Sequence, residues 1–352
     1  MKKAVLFAVA VLVLSGAIFT KAQAEGRHKS ITVFTWAGAF DSSVIKDFYK
    51  KTGYRINYVN FDLDETMYAK LKAAKGGDYD VIIADDYIIE TAIAEGLVDK
   101  LDKSKLKNYG NINPLYQGQF YDKTDEYTIP YAAGILSIVY DPALTKVDIQ
   151  GYGDLWDPSL KNNVGIVGAF RDIDGVALKT LGYSFNDENI EHIKAAGEKL
   201  KELAPNIRLI KDDNMQDDLL SGEIAAGIMY TSQVTLAKLA KPSLKLVFPK
   251  EGIGFGIMAA FIPVNAPNKE AAHAFLDVLL DAQNAKKNLE YIGYYSANTA
   301  ADPLISPKYK EFLTLPKEFS QDQMEMIQNI SPEAEAEHQI IWTEFKKATG
   351  RK

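Results

Sequence analysis

The chain contains no cysteine. This removes disulfides, a thiol nucleophile, a thiolate metal centre and a lipid-bearing N-terminal cysteine from consideration together. Histidine is scarce. His28, His192, His273 and His338 are scattered, and none stands at metal-ligand spacing from another. His192, His273 and His338 fall within helical patterns and read as surface or packing residues. There is no G-x-S-x-G nucleophile elbow. Gly252-Ile253-Gly254-Phe255-Gly256 lacks the glycine spacing of a phosphate loop and opens no helix. Asp212-Asp213 and Asp217-Asp218 lack the calcium-loop pattern with its closing Glu, so they read as solvated residues and helix caps. No internal repeat or low-complexity tract is present, and Met324–Met326 reads as packing. Without a matched set of reacting groups, the expectation is a protein that is not an enzyme and uses no metal or cofactor.

Long apolar runs are also missing after Phe19. Before it, Met1-Lys2-Lys3 is followed by the apolar stretch Ala4–Phe19 and a small-x-small site at Ala22-Gln23-Ala24. That run is short for a bilayer crossing and has the form of a secretory leader cleaved near Ala24. The expectation is a soluble periplasmic protein with no membrane anchor. Loss of residues 1–24 takes Lys2, Lys3 and Lys21 and no acid, moving the formal charge from −7 to −10. Such an acidic chain is poorly suited to nucleic acid or anionic membranes and mildly suited to cations.

What is present is an alternation of strands and helices. Strands are predicted at Ser30–Phe34, Arg55–Val59 and Asp80–Ala84, and helices at Ser42–Thr52, Asp64–Ala74 and Tyr87–Glu95. This βαβαβ order predicts a parallel, doubly wound sheet. Further on, strands are predicted at Gly134–Tyr140, Val164–Val167, Arg208–Ile210, Ala226–Tyr230, Leu244–Phe248 and Gly256–Ile262. Helices are predicted at Gly175–Leu181, Asn189–Leu203, Met215–Ser221, Val234–Ala240, Lys269–Leu280, Ala282–Leu289 and His338–Ala348. The chain leaves one α/β unit near residue 135 and returns near 258. The predicted architecture is α/β with two lobes, 25–135 plus 258–302 and 136–257 plus 303–352, joined by two crossovers that allow hinge closure.

The stretch Tyr79–Tyr87, YDVIIADDY, is the most informative. Val81, Ile82 and Ile83 run together as in a strand covered on both faces. Asp85, Asp86 and Tyr87 then emerge at its carboxyl end, where open α/β sheets bind ligands. Two carboxylates and a ring suit a cationic amine. The competing reading is that one Asp caps the following helix.

The sequence resembles the spermidine/putrescine-binding proteins, periplasmic receptors of polyamine-type ABC importers. The segments that carry the resemblance include FTWAGAFDSSVIKDFYKKTG (34–53), YDVIIADDY (79–87), LDKSKLKNYGNINP (101–114), IPYAAGILSIVYDP (129–142), DLWDPSLKNNVGI (154–166), FPKEG (248–252), NKEAAHAFLDVLL (268–280) and IGYYSAN (292–298). It implies the type II topology of periplasmic binding proteins, a small cationic ligand in the cleft, a membrane permease as partner, and a monomer.

Carried over residue by residue, the resemblance implies Trp36, Tyr87, Tyr230 and Tyr294 as aromatic walls and Gln328 as a polar contact. Asp172 matches a family Glu. Two family aspartates fall at Ala169 and Met258, while Asp85 stands where the family has Ser. This leaves the particular polyamine open. Asp85 and Asp172 could hold the two ends of a short diamine from opposite lobes. Arg171 beside Asp172 gives an alternative, a clamp for an amino acid or another small amine-containing solute, with Arg171 on its carboxylate. The competing reading of Arg171 is a structural pairing with Asp172 or Asp174. A secreted enzyme on the same scaffold is a more distant alternative.

Overall fold

The computed structural model describes residues 29–212, 214–313 and 324–351. The leader and its cleavage near Ala24 lie outside these residues.

The chain opens with β1 (Ser30–Thr35), α1 (Ser42–Thr52), β2 (Arg55–Asn60), α2 (Asp64–Ala73), β3 (Val81–Asp85) and α3 (Asp86–Ala94). Helix α1 starts where Asp41 accepts a hydrogen bond from Ser43 N and stops at Gly53, whose φ of 74° lets the chain turn away. The three strands are parallel in the order β2-β1-β3. Val81, Ile82, Ile83 and Ala84 are fully buried, as a strand covered on both faces requires.

Strand β4 (Thr128–Tyr140) is longer than the predicted Gly134–Tyr140 and contains Pro130. Its register shifts between Pro130 and Ala132, which accommodates the missing N–H. The next unit comprises β5 (Val164–Ile166), α4 (Phe170–Thr180), α5 (Ile190–Leu203), β6 (Ile207–Ile210), α6 (Met215–Ser221), β7 (Ala226–Tyr230), α7 (Thr231–Ala240) and β8 (Lys245–Val247). Here β5 lies between β6 and β7, parallel to both, repeating the winding of the first unit. Helix α4 begins five residues before the predicted Gly175, so Arg171 and Asp172 lie in its first turn.

Strand β9 (Ile253–Phe261) returns antiparallel between β3 and β4. The remaining elements are α8 (Lys269–Leu280), α9 (Ala282–Ile292), β10 (Tyr295–Ser296), α10 (Pro307–Leu313), β11 (Met324–Met326) and α11 (Pro332–Thr349). Met324–Met326, read from sequence as packing, is a strand paired with Ile253–Phe255 of β9.

Two cores result. In the first unit, Ile31 and Val33 face Val44 and Phe48 of α1 and Phe275 of α8. Phe34 and Ile82 face Met67, Leu71 and Ile89 on the other side. The second core joins β4 from Leu136 onward to β5, β7, α4, α5 and, from the far end of the chain, Ile341, Trp342 and Phe345 of α11. Strand β4 belongs to both sheets, pairing with β9 through Ile135 and with β7 from Leu136.

Candidate functional site between the lobes

Each sheet winds outward in both directions from its first strand, β1 or β5. Crevices for ligands open at the carboxyl ends of strands beside such a switch point. Trp36 follows β1 and Asp85 ends β3. Asp172 follows β5 and Tyr230 ends β7.

Asp85 and Asp86 divide the two roles that the sequence left open. Asp86 is 4% exposed, and its carboxylate accepts hydrogen bonds from Tyr87 N and Ile257 N, both at 2.8 Å. It starts α3 and ties that helix to β9. Asp85 occupies the N-cap position in extended backbone, yet its side chain makes no capping bond. Its own N–H donates to Asp64 Oδ1 at 3.1 Å. Beside them Tyr87 donates its hydroxyl to Glu65 Oε1 at 2.9 Å.

The electrostatics are one-sided. Burial raises the Asp85 carboxyl well above the usual range, and the charges of Asp64, Asp86, Asp172 and Glu65 raise it further. Burial likewise pushes Asp64 and Asp86 up to about 7. Across the cleft, burial lifts Asp172 to about 6 against the lowering effect of the Tyr230 hydroxyl, which donates to Asp172 Oδ2 at 2.8 Å. No cation balances Asp85 among these contributions. An ionised carboxylate held this way strongly favours an arriving positive charge.

Aromatic rings stand at the same strand ends. Trp36 is half-buried and packs on Phe61 at 5.1 Å between ring centroids. Burial raises the Tyr294 hydroxyl, and Asp85 adds to the rise. The Tyr294 ring lies against β4 at Gly134, where a Cβ would stand 2.9 Å from Tyr294 Cε1, so only glycine admits the ring. Burial also raises Tyr230, with contributions from Asp172 and Tyr294. Asp85, Tyr87, Asp172, Tyr230 and Tyr294 are therefore linked electrostatically across the junction of the two units, while Trp36 packs beside Phe61.

Arg171 does not join them. Its guanidinium donates to the carbonyls of Gln328 and Phe185, to Asn186 Oδ1 and to Glu335 Oε2, at 3.3 to 3.5 Å. Its ion pair is with Glu335, while Asp174 and Asp172 act on it only as nearby charges. Gln328 is exposed and held by its backbone, through Arg171 and through Asn186 Oδ1 at 2.7 Å. The next residue, Asn329, crosses between the lobes and donates to Tyr87 O at 3.0 Å and Glu90 Oε2 at 2.9 Å.

Asp64, Glu65 and Asp212 were missed from sequence as site residues. Asp212 directly follows the strand–loop junction after β6, so the rule that singled out Asp85 could have found it. No cluster of His, Asp and Glu among the described residues has the geometry to hold a metal ion.

Two α/β units sharing strand β4, with acids and rings from both near their junction, have the architecture of a solute-binding protein. The sequence profile of the bacterial extracellular solute-binding proteins matches residues 43–317, and the chain belongs to that family. It is 35% identical over 282 residues to the spermidine/putrescine-binding periplasmic protein of Salmonella typhimurium, covering 80% of this chain and 81% of that one. The protein of the same name from Escherichia coli is 34% identical over 289 residues, covering 82% and 83%. Among solved structures, the spermidine/putrescine ABC transporter substrate-binding protein of Streptococcus pneumoniae superposes with a TM-score of 0.82 at 28% identity, covering 91% of this chain and 99% of that one.

Proposed function

We propose that this chain is an extracytoplasmic receptor that captures a polyamine of the putrescine or spermidine class by cleft closure and delivers it to the membrane permease of an ABC importer. It works without cofactor or chemistry, as a periplasmic monomer released from its leader near Ala24. The observation that carries the reading is the meeting of buried carboxylates from both lobes, Asp85, with no cation acting on it, and Asp172, on which Arg171 and the Tyr230 hydroxyl act, within electrostatic reach of one another. A diamine supplies an ammonium for each, and its methylenes pass between Trp36, Tyr87, Tyr230 and Tyr294. The names of the relatives support the same ligand class.

The lobes, 25–135 plus 258–302 and 136–257 plus 303–352, supply complementary halves of the site, so ligand favours the closed arrangement in which both make contact. A zwitterion clamp would need a free guanidinium, and Arg171 is already engaged by Glu335 and backbone carbonyls. Isothermal titration of the leaderless protein with putrescine and spermidine tests the reading. Saturable binding is expected, and native mass spectrometry of freshly purified protein should show a bound amine. Absence of binding to both amines overturns it.

A further inference from the structure

On the second lobe, three acceptor groups are gathered by a ring of hydrogen bonds that otherwise has no evident purpose. The loop after β6 crosses the start of α4, where Gly168 N donates to Asp212 Oδ1 at 2.7 Å. The fit is close: a Cβ on Gly168 would stand 2.7 Å from Asp212 Oδ2, so glycine lets the carboxylate settle there. Gln233, three residues past Tyr230, donates its Nε2 to the Asp212 carbonyl at 2.6 Å. Tyr230 closes the ring through its bond to Asp172 Oδ2. Ala169 at the helix N-cap contributes only a methyl and makes no capping bond.

This ring leaves acceptors unused. Gln233 is 6% exposed, and its Oε1 has no hydrogen-bond partner. A carbonyl cannot accept from Oε1, so the amide cannot be flipped, and the bare oxygen is fixed beside the Asp212 backbone. A buried unpaired amide oxygen is destabilising, and a donor from a ligand would relieve it. The charge of Asp212 reaches both Asp172 and Tyr230.

We infer that Asp172, Asp212 and Gln233 Oε1 form a cradle for one primary ammonium group of the ligand, the three acceptors matching its three N–H donors. The inference rests on the amine-receptor reading above and adds two residues, Asp212 and Gln233, to the specificity of that cleft. It commits the second lobe to a terminal –NH3⁺, because a quaternary or acylated nitrogen has too few donors for three acceptors.

The test is titration of putrescine into wild type, D212N and Q233L, with thermal melts in parallel. D212N is expected to weaken binding about 10- to 100-fold, the range of a lost charge-assisted bond, with an unchanged Tm because Asp212 is exposed. Q233L is expected to weaken it by a smaller factor. Should Q233L fail to fold, D212N decides alone. Putrescine binding within twofold of wild type by D212N overturns the cradle and leaves the receptor reading standing. A wild-type chain that binds neither putrescine nor spermidine removes the receptor reading and the cradle with it.

Discussion

Asp85 and Met258 stand directly opposite one another across the β3–β9 pair. Opposed residues of an antiparallel pair project to the same face, so the first-lobe carboxylate has a thioether beside it and no neutralising cation. Asp85→Asn should therefore weaken putrescine binding about 10- to 100-fold, the worth of a charge-assisted hydrogen bond. Its Tm should stay level or rise, because the side chain caps nothing and repulsion from Asp64 and Asp86 is relieved. Titration paired with a thermal melt checks this; a sharp drop in Tm with affinity intact would return Asp85 to a structural role.

The acids of the cleft give stability and affinity opposite pH dependences. Asp172 at about 6 and Asp64 and Asp86 at about 7 bind protons more tightly in the folded chain than in the unfolded one. Between pH 4 and 7 the folded state then holds more protons, so their contribution to stability declines as pH rises through this window. Amine binding needs the ionised forms and moves the other way. Affinity should fall about tenfold per pH unit below 6 for each carboxylate that must ionise, with protons released on binding near pH 6. Titrations in buffers of differing ionisation enthalpy measure that release.

Asn329→Ala removes two bonds that join the lobes, to Tyr87 O and Glu90 Oε2. At about 0.5–1.5 kcal/mol each, their loss should weaken ligand binding about 5- to 150-fold by disfavouring the closed form, with no contact to the ligand removed. Small-angle scattering of the unliganded variant should show a larger radius of gyration than wild type.

His338 and Asp174, both fully buried, are bonded at 3.0 Å and tie α11 to α4. Burial holds His338 down to about 4 and raises Asp174. Because the unfolded chain protonates this histidine near 6.5, the contribution of His338 to stability is lost as pH falls from 6.5 toward 4. His338→Ala leaves a void and an unpaired carboxyl, and should cost about 2–4 kcal/mol. Denaturant unfolding at pH 7 measures the loss.

Much of the architecture was legible because it follows local rules. Met215–Ser221, Ala226–Tyr230 and Lys269–Leu280 coincide with their predicted limits, each bounded by a cap, a turn or a change of period. Asp85 was legible as a strand-end acid. Its separation in role from Asp86 was not, since it depends on Ile257 N arriving from a strand far along the chain. The first turn of α4 was invisible because Ala169 offers no capping chemistry. That turn is held by Glu335 and His338, more than 160 residues away. The same contacts engage Arg171. The start of α11 is a different case: Ser331 and Pro332 carry the usual signature and could have been read. Met324–Met326 becomes a strand only because β9 lies alongside.

Thr231 bonds both backbone groups of Ile135, receiving its N–H at 2.9 Å and donating to its carbonyl at 3.2 Å. Ile135 is where β4 passes from one sheet to the other, and Thr231 is joined covalently to Tyr230. The ring proposed to meet the solute and the clasp on the strand shared by both sheets are thus consecutive links of one chain. On the proposed reading, a solute pressing on Tyr230 acts one residue away from the bonds that hold the shared strand, so cleft and joint share a single segment of backbone.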